Sequence, residues 1–296
     1  MSRVIVFDVE HGFCAFVKSP TGQTLMIDCG RKEQFSPVVY VIDNELNGAR
    51  LTQLIVTHPH DDHIEDIQYV TSKLPPLILQ RQVYDWEEVR ETESDYENLD
   101  HYSGWQAKYS APAPAVDWGM DIKVFYLTPA VAQALNQDNW VNNSGMVVVV
   151  TITGTKFSEK FVFGADVETD GFTELLKNKD FKAAVAGADF YIASHHGHSS
   201  GFSTELYDAM GKPFLNLISA TSGDEHVDSC YGSEDYARGV EIDGERRYSL
   251  TTRTDGSIFI DVNDEGKFSV YCVSLDDNEE EDALTAAVKA FLAGRR

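Results

Sequence analysis

Thr57-His58-Pro59-His60-Asp61-Asp62-His63 follows the apolar run Leu54-Ile55-Val56 and leads into Ile64-Glu65-Asp66-Ile67-Gln68-Tyr69-Val70, where apolar residues recur at helical spacing. Imidazoles and carboxylates thereby crowd together where a strand ends and a helix begins. Extended residues two apart project to the same side, so His58 and His60 are placed to grip one cation. Asp62 and His63, in the first helical turn, face a second cation a few ångströms away. Neutral imidazole with carboxylate suits zinc, manganese or iron better than calcium or magnesium. The competing reading is a His-rich surface turn with Asp61 or Asp62 as helix N-cap. Spaced ligands after an apolar strand are what a metal site needs, which favours the first reading.

The chain has 296 residues, of which 43% are hydrophobic and 11% aromatic. That is enough for a sizeable core, and residues 1–296 read as one domain. Lys plus Arg number 24 and Asp plus Glu 48, so the formal net charge is −24. Such a field repels polyanions and disfavours long nucleic acid or anionic membrane as partners. A small anionic substrate remains open, because a bound metal pair reverses the sign locally. Arg246-Arg247 and Arg295-Arg296 are the only basic clusters. Cys14, Cys29, Cys230 and Cys272 are scattered without a C-x-x-C pair, as reduced thiols of a cytoplasmic protein would be. Val4 to Phe7 is too short for a signal h-region, and no later run reaches membrane-spanning length. Nothing in the sequence sets an oligomeric state.

In chain order, Arg3 to Val9, Phe13 to Val17 and Thr24 to Ile27 read as strands, the last two joined at the turn Ser19-Pro20-Thr21-Gly22. Phe35 to Leu46 is expected to be helical. Leu51 to Val56 is the strand that delivers the histidine turn, and Ile64 to Leu74 is a helix stopped by Pro75-Pro76. Residues 83–118 are acidic and aromatic with no clear period, and are expected to form an irregular substrate-side insertion or a self-packed edge. Met146 to Thr153 and Phe157 to Phe163 form a hairpin ending in Gly164-Ala165-Asp166. Asp189 to Ala193 is a strand running into Ser194-His195-His196-Gly197-His198-Ser199-Ser200. Ser257 to Val262 and Phe268 to Val273 form a closing hairpin, followed by a helix at 283–293.

His58-x-His60-x-Asp62-His63 resembles the signature of the metallo-β-lactamase superfamily. The resemblance implies an α/β fold, a four-layer αββα sandwich, and a hydrolase that binds Zn2+, two ions in the usual case, with Mn2+ or Fe as alternatives. It implies His58, His60, Asp62 and His63 as ligands, and Asp166 as the carboxylate bridging the two metals. The late histidine ligand falls first on His195, with His196 as its rival. Asp28 resembles the acid that braces the metal loop without binding metal. Asp8-Val9-x-x-Gly12, Asn143-Ser144, His195-His196-Gly197-x-Ser199 and Thr252-x-Thr254-Asp255-Gly256-Ser257-Ile258 further resemble a ComEC-type subgroup, the hydrolase domain of a bacterial competence protein, without its membrane channel. Two departures stand out. Glu10, His11 and Phe13 replace the Gly, Gln and Asp usual in that subgroup's first motif; His11 adds an imidazole near the expected mouth, there either to touch substrate or metal or, on the favoured reading, as an ordinary exposed loop histidine. No histidine follows Tyr126-Leu127-Thr128-Pro129, where a third ligand of the first metal is commonly supplied, and His101 is the only histidine between His63 and His195.

The reaction implied is hydrolysis by metal-activated hydroxide, since metal binding lowers the pKa of water to about 7. Asp62 would orient the nucleophile as well as bind metal. His198 and His196 are the candidates for delivering a proton to the leaving group, and Arg31 and Lys32 for contacting an anionic substrate. A phosphoester or phosphodiester of small-molecule or nucleotide-like size is the expected substrate. Lactone, thioester or lactam hydrolysis is the alternative, with a DNA nuclease or a non-catalytic scaffold behind it.

Overall fold

The computed structural model describes residues 1–92, 97–221, 226–242 and 244–275, so the expected helix at 283–293 lies outside the described residues. Strands alternate their side chains between two faces, and both faces of most strands here carry apolar residues. That pattern requires cover on each side. Two sheets supply it. The first has seven strands: β1 (Ser2–Val6), β2 (Ala15–Lys18), β3 (Thr24–Ile27), β4 (Gln53–Ile55), β5 (Ile78–Gln80), and the closing hairpin β14 (Ser257–Val262) and β15 (Phe268–Val273). Its order is β15-β14-β1-β2-β3-β4-β5. The second has six strands: β6 (Asp121–Phe125), β7 (Val147–Thr153), β8 (Ser158–Phe163), β9 (Phe190–Ile192), β10 (Leu215–Ile218) and β13 (Ser249–Thr251), in the order β13-β10-β9-β8-β7-β6. A small polar hairpin, β11 (Val240–Ile242) with β12 (Glu245–Arg247), stands apart.

The alternation sorts residues between two cores. Val4, Val6, Ala15, Val17, Leu25 and Ile27 pack with Val148, Val150, Phe161, Phe163, Phe190 and Leu217 in one buried cluster, which lies between the sheets. The opposite parity, Ile5, Phe16, Met26 and Leu54 in one sheet and Val149, Val162 and Tyr191 in the other, joins a cluster containing Val38, Ile67, Val70, Phe172, Phe181 and Leu206 of the helices. The result is a four-layer αββα sandwich. Each large apolar side chain buried this way contributes roughly 1.5–3 kcal/mol. A one-residue slip would exchange the two faces of a strand, so the register is firmly set.

The insertion at 83–118 is not irregular throughout. It contains helices at Trp86–Arg90 and Glu97–Gln106, and its Tyr84, Leu99, Tyr102 and Trp105 are buried in the outer core. Asn98 donates to Asp61 at 2.9 Å, which fastens this layer to the helix that starts the histidine turn. The helix expected at Phe35–Leu46 forms as Pro37–Tyr40 and continues with wider turns to Glu45, the Leu46 N–H reaching back to the Val41 carbonyl at 3.1 Å.

Candidate metal centre

The histidine turn is built from backbone pairing. β4 lies parallel to β3 and β5, so its C-terminal end opens where loops gather in an α/β sheet. Thr57 to His60 leave the strand extended, and Asp61–Ile64 forms one helical turn with His60 as its N-cap residue. Asp28, at the end of β3, sits in the left-handed region at φ 57 and is fully buried. Its carboxylate accepts from the Thr57 N–H and hydroxyl, both at 2.6 Å, and lies 2.8 Å from His63 Nδ1. This aims His63 Nε2 the other way, into the pocket. The brace expected of Asp28 is therefore present in the geometry. Burial pushes its carboxyl up while the His63 charge opposes that.

Asp166 arrives from β8 through Ala165, itself left-handed at φ 49. Ser194, at the end of β9, donates its hydroxyl toward the carbonyls of Ala165 and Val167 at 3.0 and 2.5 Å. Gly164 runs so close beneath it that a Cβ there would meet Ser194 Cβ at 2.9 Å. His195, His196 and Gly197 then follow with φ of 51, 53 and 77. Consecutive non-glycine residues in this region are strained, as backbone at functional sites often is. The turn splays the two rings 6.3 Å apart at 63°.

Nitrogens and oxygens converge on one pocket. His196 Nε2 lies 3.2 Å from Asp62 Oδ2 and 3.3 Å from Asp166 Oδ2. His63 Nε2 lies 3.2 Å from Asp166 Oδ1 and 3.9 Å from Asp62 Oδ2. His58 Nε2 lies 3.9 Å from Asp166 Oδ2 and 3.1 Å from His60 Nδ1. Two sets of donor atoms fall within 4.8 Å of one another: His58, His63 and Asp166, and His11, Asp62 and His196. The buried Nε2 atoms of His63 and His196 have no hydrogen-bond partner among the described residues, despite these short approaches. Neighbouring ligands on a tetrahedral zinc are separated by roughly 3.3 Å, given bonds of about 2.0–2.2 Å. The donor set, its spacing and its orphaned nitrogens fit a metal pair.

The same crowding sets the charges. Burial pulls His58 well below its ordinary value and takes His60 down to about 4, keeping both neutral. Burial also acts against a charged His196, but Asp166 and Asp62 push it up to about 10. His63 is raised against burial by the Asp166 and Asp62 carboxylates. Burial opposes the charged forms of Asp166 and Asp62, yet the neighbouring histidines hold both carboxyls below the usual range.

Residues 7–93 match the family model described as the metallo-beta-lactamase superfamily. Superfamily membership is supported. The matched segment contains the Asp28 brace and the whole histidine turn, and with the fold it supports a metallo-hydrolase of the metallo-β-lactamase superfamily. Among solved structures, Igni18, a metallo hydrolase from the archaeon Ignicoccus hospitalis, aligns with a TM-score of 0.45 at 9% identity, covering 88% of this chain and 100% of that one. MEM-A1, a subclass B3 metallo-beta-lactamase from a soil metagenome library, aligns with a TM-score of 0.39 at 14% identity, covering 65% and 76%. No curated protein matches the chain.

The expected site residues do not all meet in the pocket. His195, the first choice for the late superfamily ligand, belongs to neither donor set; its Nδ1 lies 2.9 Å from Ser200 Oγ and 3.4 Å from Glu168 Oε1. Its rival His196 is the ring whose Nε2 reaches Asp62 and Asp166. His63, expected beside Asp62 on one cation, groups more closely with His58 and Asp166. His198 belongs to neither donor set. Its Nδ1 accepts from the Ser200 N–H at 3.1 Å, and its ring lies 5.6 Å from that of His226. His101 is exposed and engaged with Thr71 at 2.7 Å. Arg31 and Lys32 are held by Asp66 at 3.5 Å and Asp8 at 3.1 Å, so neither is a free anion clamp. Two contributors lie outside the expected ligand set. Glu168 is fixed by Asn139 Nδ2 at 3.0 Å and by the Asn143 side chain at its N–H, and so anchors His195. His11 joins the Asp62 group.

Proposed function

We propose that the protein is a metal-dependent hydrolase of phosphoesters, foremost phosphodiesters of small-molecule or nucleotide-like size. The observation that carries this reading is the convergence of His58, His63 and Asp166 beside Asp62 and His196, with His60 Nδ1 3.1 Å from His58 Nε2 and two buried imidazole nitrogens aimed inward and unpartnered among the described residues. Held by these residues, a pair of zinc, manganese or iron ions would supply Lewis acidity and lower the pKa of a water to about 7. The chain's own groups do the rest. Asp28 fixes the His63 ring through Nδ1, which selects its tautomer and its direction. Asp62 and Asp166 present their carboxylates to the pocket, where they would balance the charge of the cations and hold a water by hydrogen bonds. His198, half-buried beside Ser200, is the candidate to protonate a leaving oxygen, since the pocket occupies His196, the other candidate, with Asp62 and Asp166.

The phosphodiester preference draws on the ComEC-type motifs around Asp8, Asn143, His195 and Thr252, and the size limit on the net charge of −24. A cytoplasmic setting suits four free cysteines, and among the described residues no helix is long and apolar enough to cross a membrane. The test is metal analysis of protein purified without chelator, beside turnover of phosphodiester, thioester, lactone and lactam substrates by wild type and Asp62→Ala. The expected result is at least one tightly held transition metal per chain and phosphodiester turnover abolished by the substitution. Strong thioester or lactone turnover beside weak diester activity would replace the substrate class, and equal turnover by the two proteins would remove the assignment.

A further inference from the structure

We infer that His11 is a ligand of the cation held by Asp62 and His196, delivered by the loop that joins β1 to β2. This rests on the metal-centre reading above and extends it to a residue from outside the histidine turn. His11 Nε2 stands 3.6 Å from Asp62 Oδ2, the same oxygen that His196 Nε2 approaches at 3.2 Å. The two imidazole ring centres lie 5.0 Å apart, tilted by 35°. The 3.2 and 3.6 Å approaches to one carboxylate oxygen are close to the roughly 3.3 Å between neighbouring donors on one transition metal.

The loop is built to hold the ring there. Gly12 adopts φ +121 and passes so close to Asp62 that a Cβ would lie 2.4 Å from its carbonyl oxygen. The Phe13 N–H donates to that carbonyl at 3.2 Å, and Ser219 Oγ donates to the Gly12 carbonyl at 2.7 Å. Glu10, on the other side of His11, is left-handed at φ 61, with its N–H directed to Asp8 at 3.4 Å. An unanchored surface histidine has no need of a glycine pressed onto the backbone of a ligand residue. The added nitrogen makes the Asp62 site a two-imidazole, one-carboxylate donor set, which selects a borderline divalent transition metal over magnesium. His11 is 67% exposed at its side chain, so it can be replaced without opening a cavity.

The experiment loads chelator-treated protein with Co2+ as probe and follows stoichiometry, affinity and visible d–d absorption for wild type, His11→Ala, His11→Gln and Asp62→Ala. Glutamine can still donate to Asp62 but is a poor metal ligand, so it separates ligation from hydrogen bonding. Losing an outer partner of a metal ligand already costs about 10–100-fold in affinity. Both His11 variants are therefore expected to bind the Co2+ of the Asp62 site at least about tenfold more weakly, with an altered spectrum and unchanged circular dichroism. Wild-type affinity and spectrum in both variants, or recovery in His11→Gln, would overturn the ligand role. Wild type that takes up no Co2+, or Asp62→Ala that binds like wild type, would instead overturn the metal centre itself.

Discussion

His195 and His196 are adjacent, and the pocket admits only one of them. Strand-like alternation would send neighbours to opposite sides, but it does not say which is inward once both residues turn left-handed. The Ser194 hydroxyl is pinned to the 165–167 carbonyls and the Glu168 carboxylate lies beside His195, while His196 Nε2 faces Asp62 and Asp166. His196→Ala is expected to cost one metal per chain and nearly all turnover, whereas His195→Ala retains the full metal content by elemental analysis. A pH dependence follows from the same ring. His196 is raised from 6.5 to about 10 in the metal-free fold, by Asp166 and Asp62 working against burial. A proton bound more tightly in the folded state stabilises it fully below pH 6.5, and that contribution is lost as pH rises toward 10. Chelator-treated protein should therefore lose thermal stability across this window. Metal affinity should climb across it, because the cation no longer competes with the proton. Calorimetric melting points and metal titrations at stepped pH check both signs.

At the scale of elements, the ligand-bearing pieces are strand ends and the loops they open into. Much of this was legible: an apolar strand followed by the His58–His63 cluster, an acid closing β3, and another soon after β8 each have a sequence signature. The closing hairpin at 257–262 and 268–273 was legible too, because its apolar residues and turn are uninterrupted. Other parts carry no such signal. β11 and β12 include the exposed Glu241, Glu245 and Arg246, so no apolar alternation marks them. The helix Glu97–Gln106 buries Leu99, Tyr102 and Trp105 among acids and polar residues, which blurs its period. Glu168 braces His195 from two residues beyond Asp166, a spacing without any signature. The loop between β1 and β2 gives the sharpest test at this scale. Gly12→Ala would force an L residue into φ +121 and set its Cβ 2.4 Å from the Asp62 carbonyl. Strain of this kind costs about 1–3 kcal/mol, so a lowered melting point and weaker metal uptake are expected together. Asp28→Asn should weaken metal binding by about 10–100-fold, because an amide has one acceptor oxygen and cannot serve Thr57 and His63 Nδ1 together as the carboxylate does.

At the scale of the whole molecule, the charge of −24 and the cation pocket pull in opposite directions. The pocket attracts an anion over a few ångströms, whereas the global field acts out to the screening length, about 8 Å at physiological salt. An incoming polyanion meets repulsion before it meets the metal site. Added salt shortens the reach of that repulsion without greatly weakening contacts inside a buried pocket. For a nuclease with a basic groove, kcat/KM on DNA falls steeply as salt rises, because phosphate contacts release counterions. The opposite slope is expected here. Between low and physiological ionic strength, kcat/KM on an oligonucleotide should rise, and by more than kcat/KM on a monoanionic bis-aryl phosphodiester. Charge-reversing a few acids away from the pocket should flatten both slopes while kcat stays unchanged. A falling slope on the oligonucleotide would mean that a local basic path outweighs the global field, and would reopen long nucleic acid as the substrate.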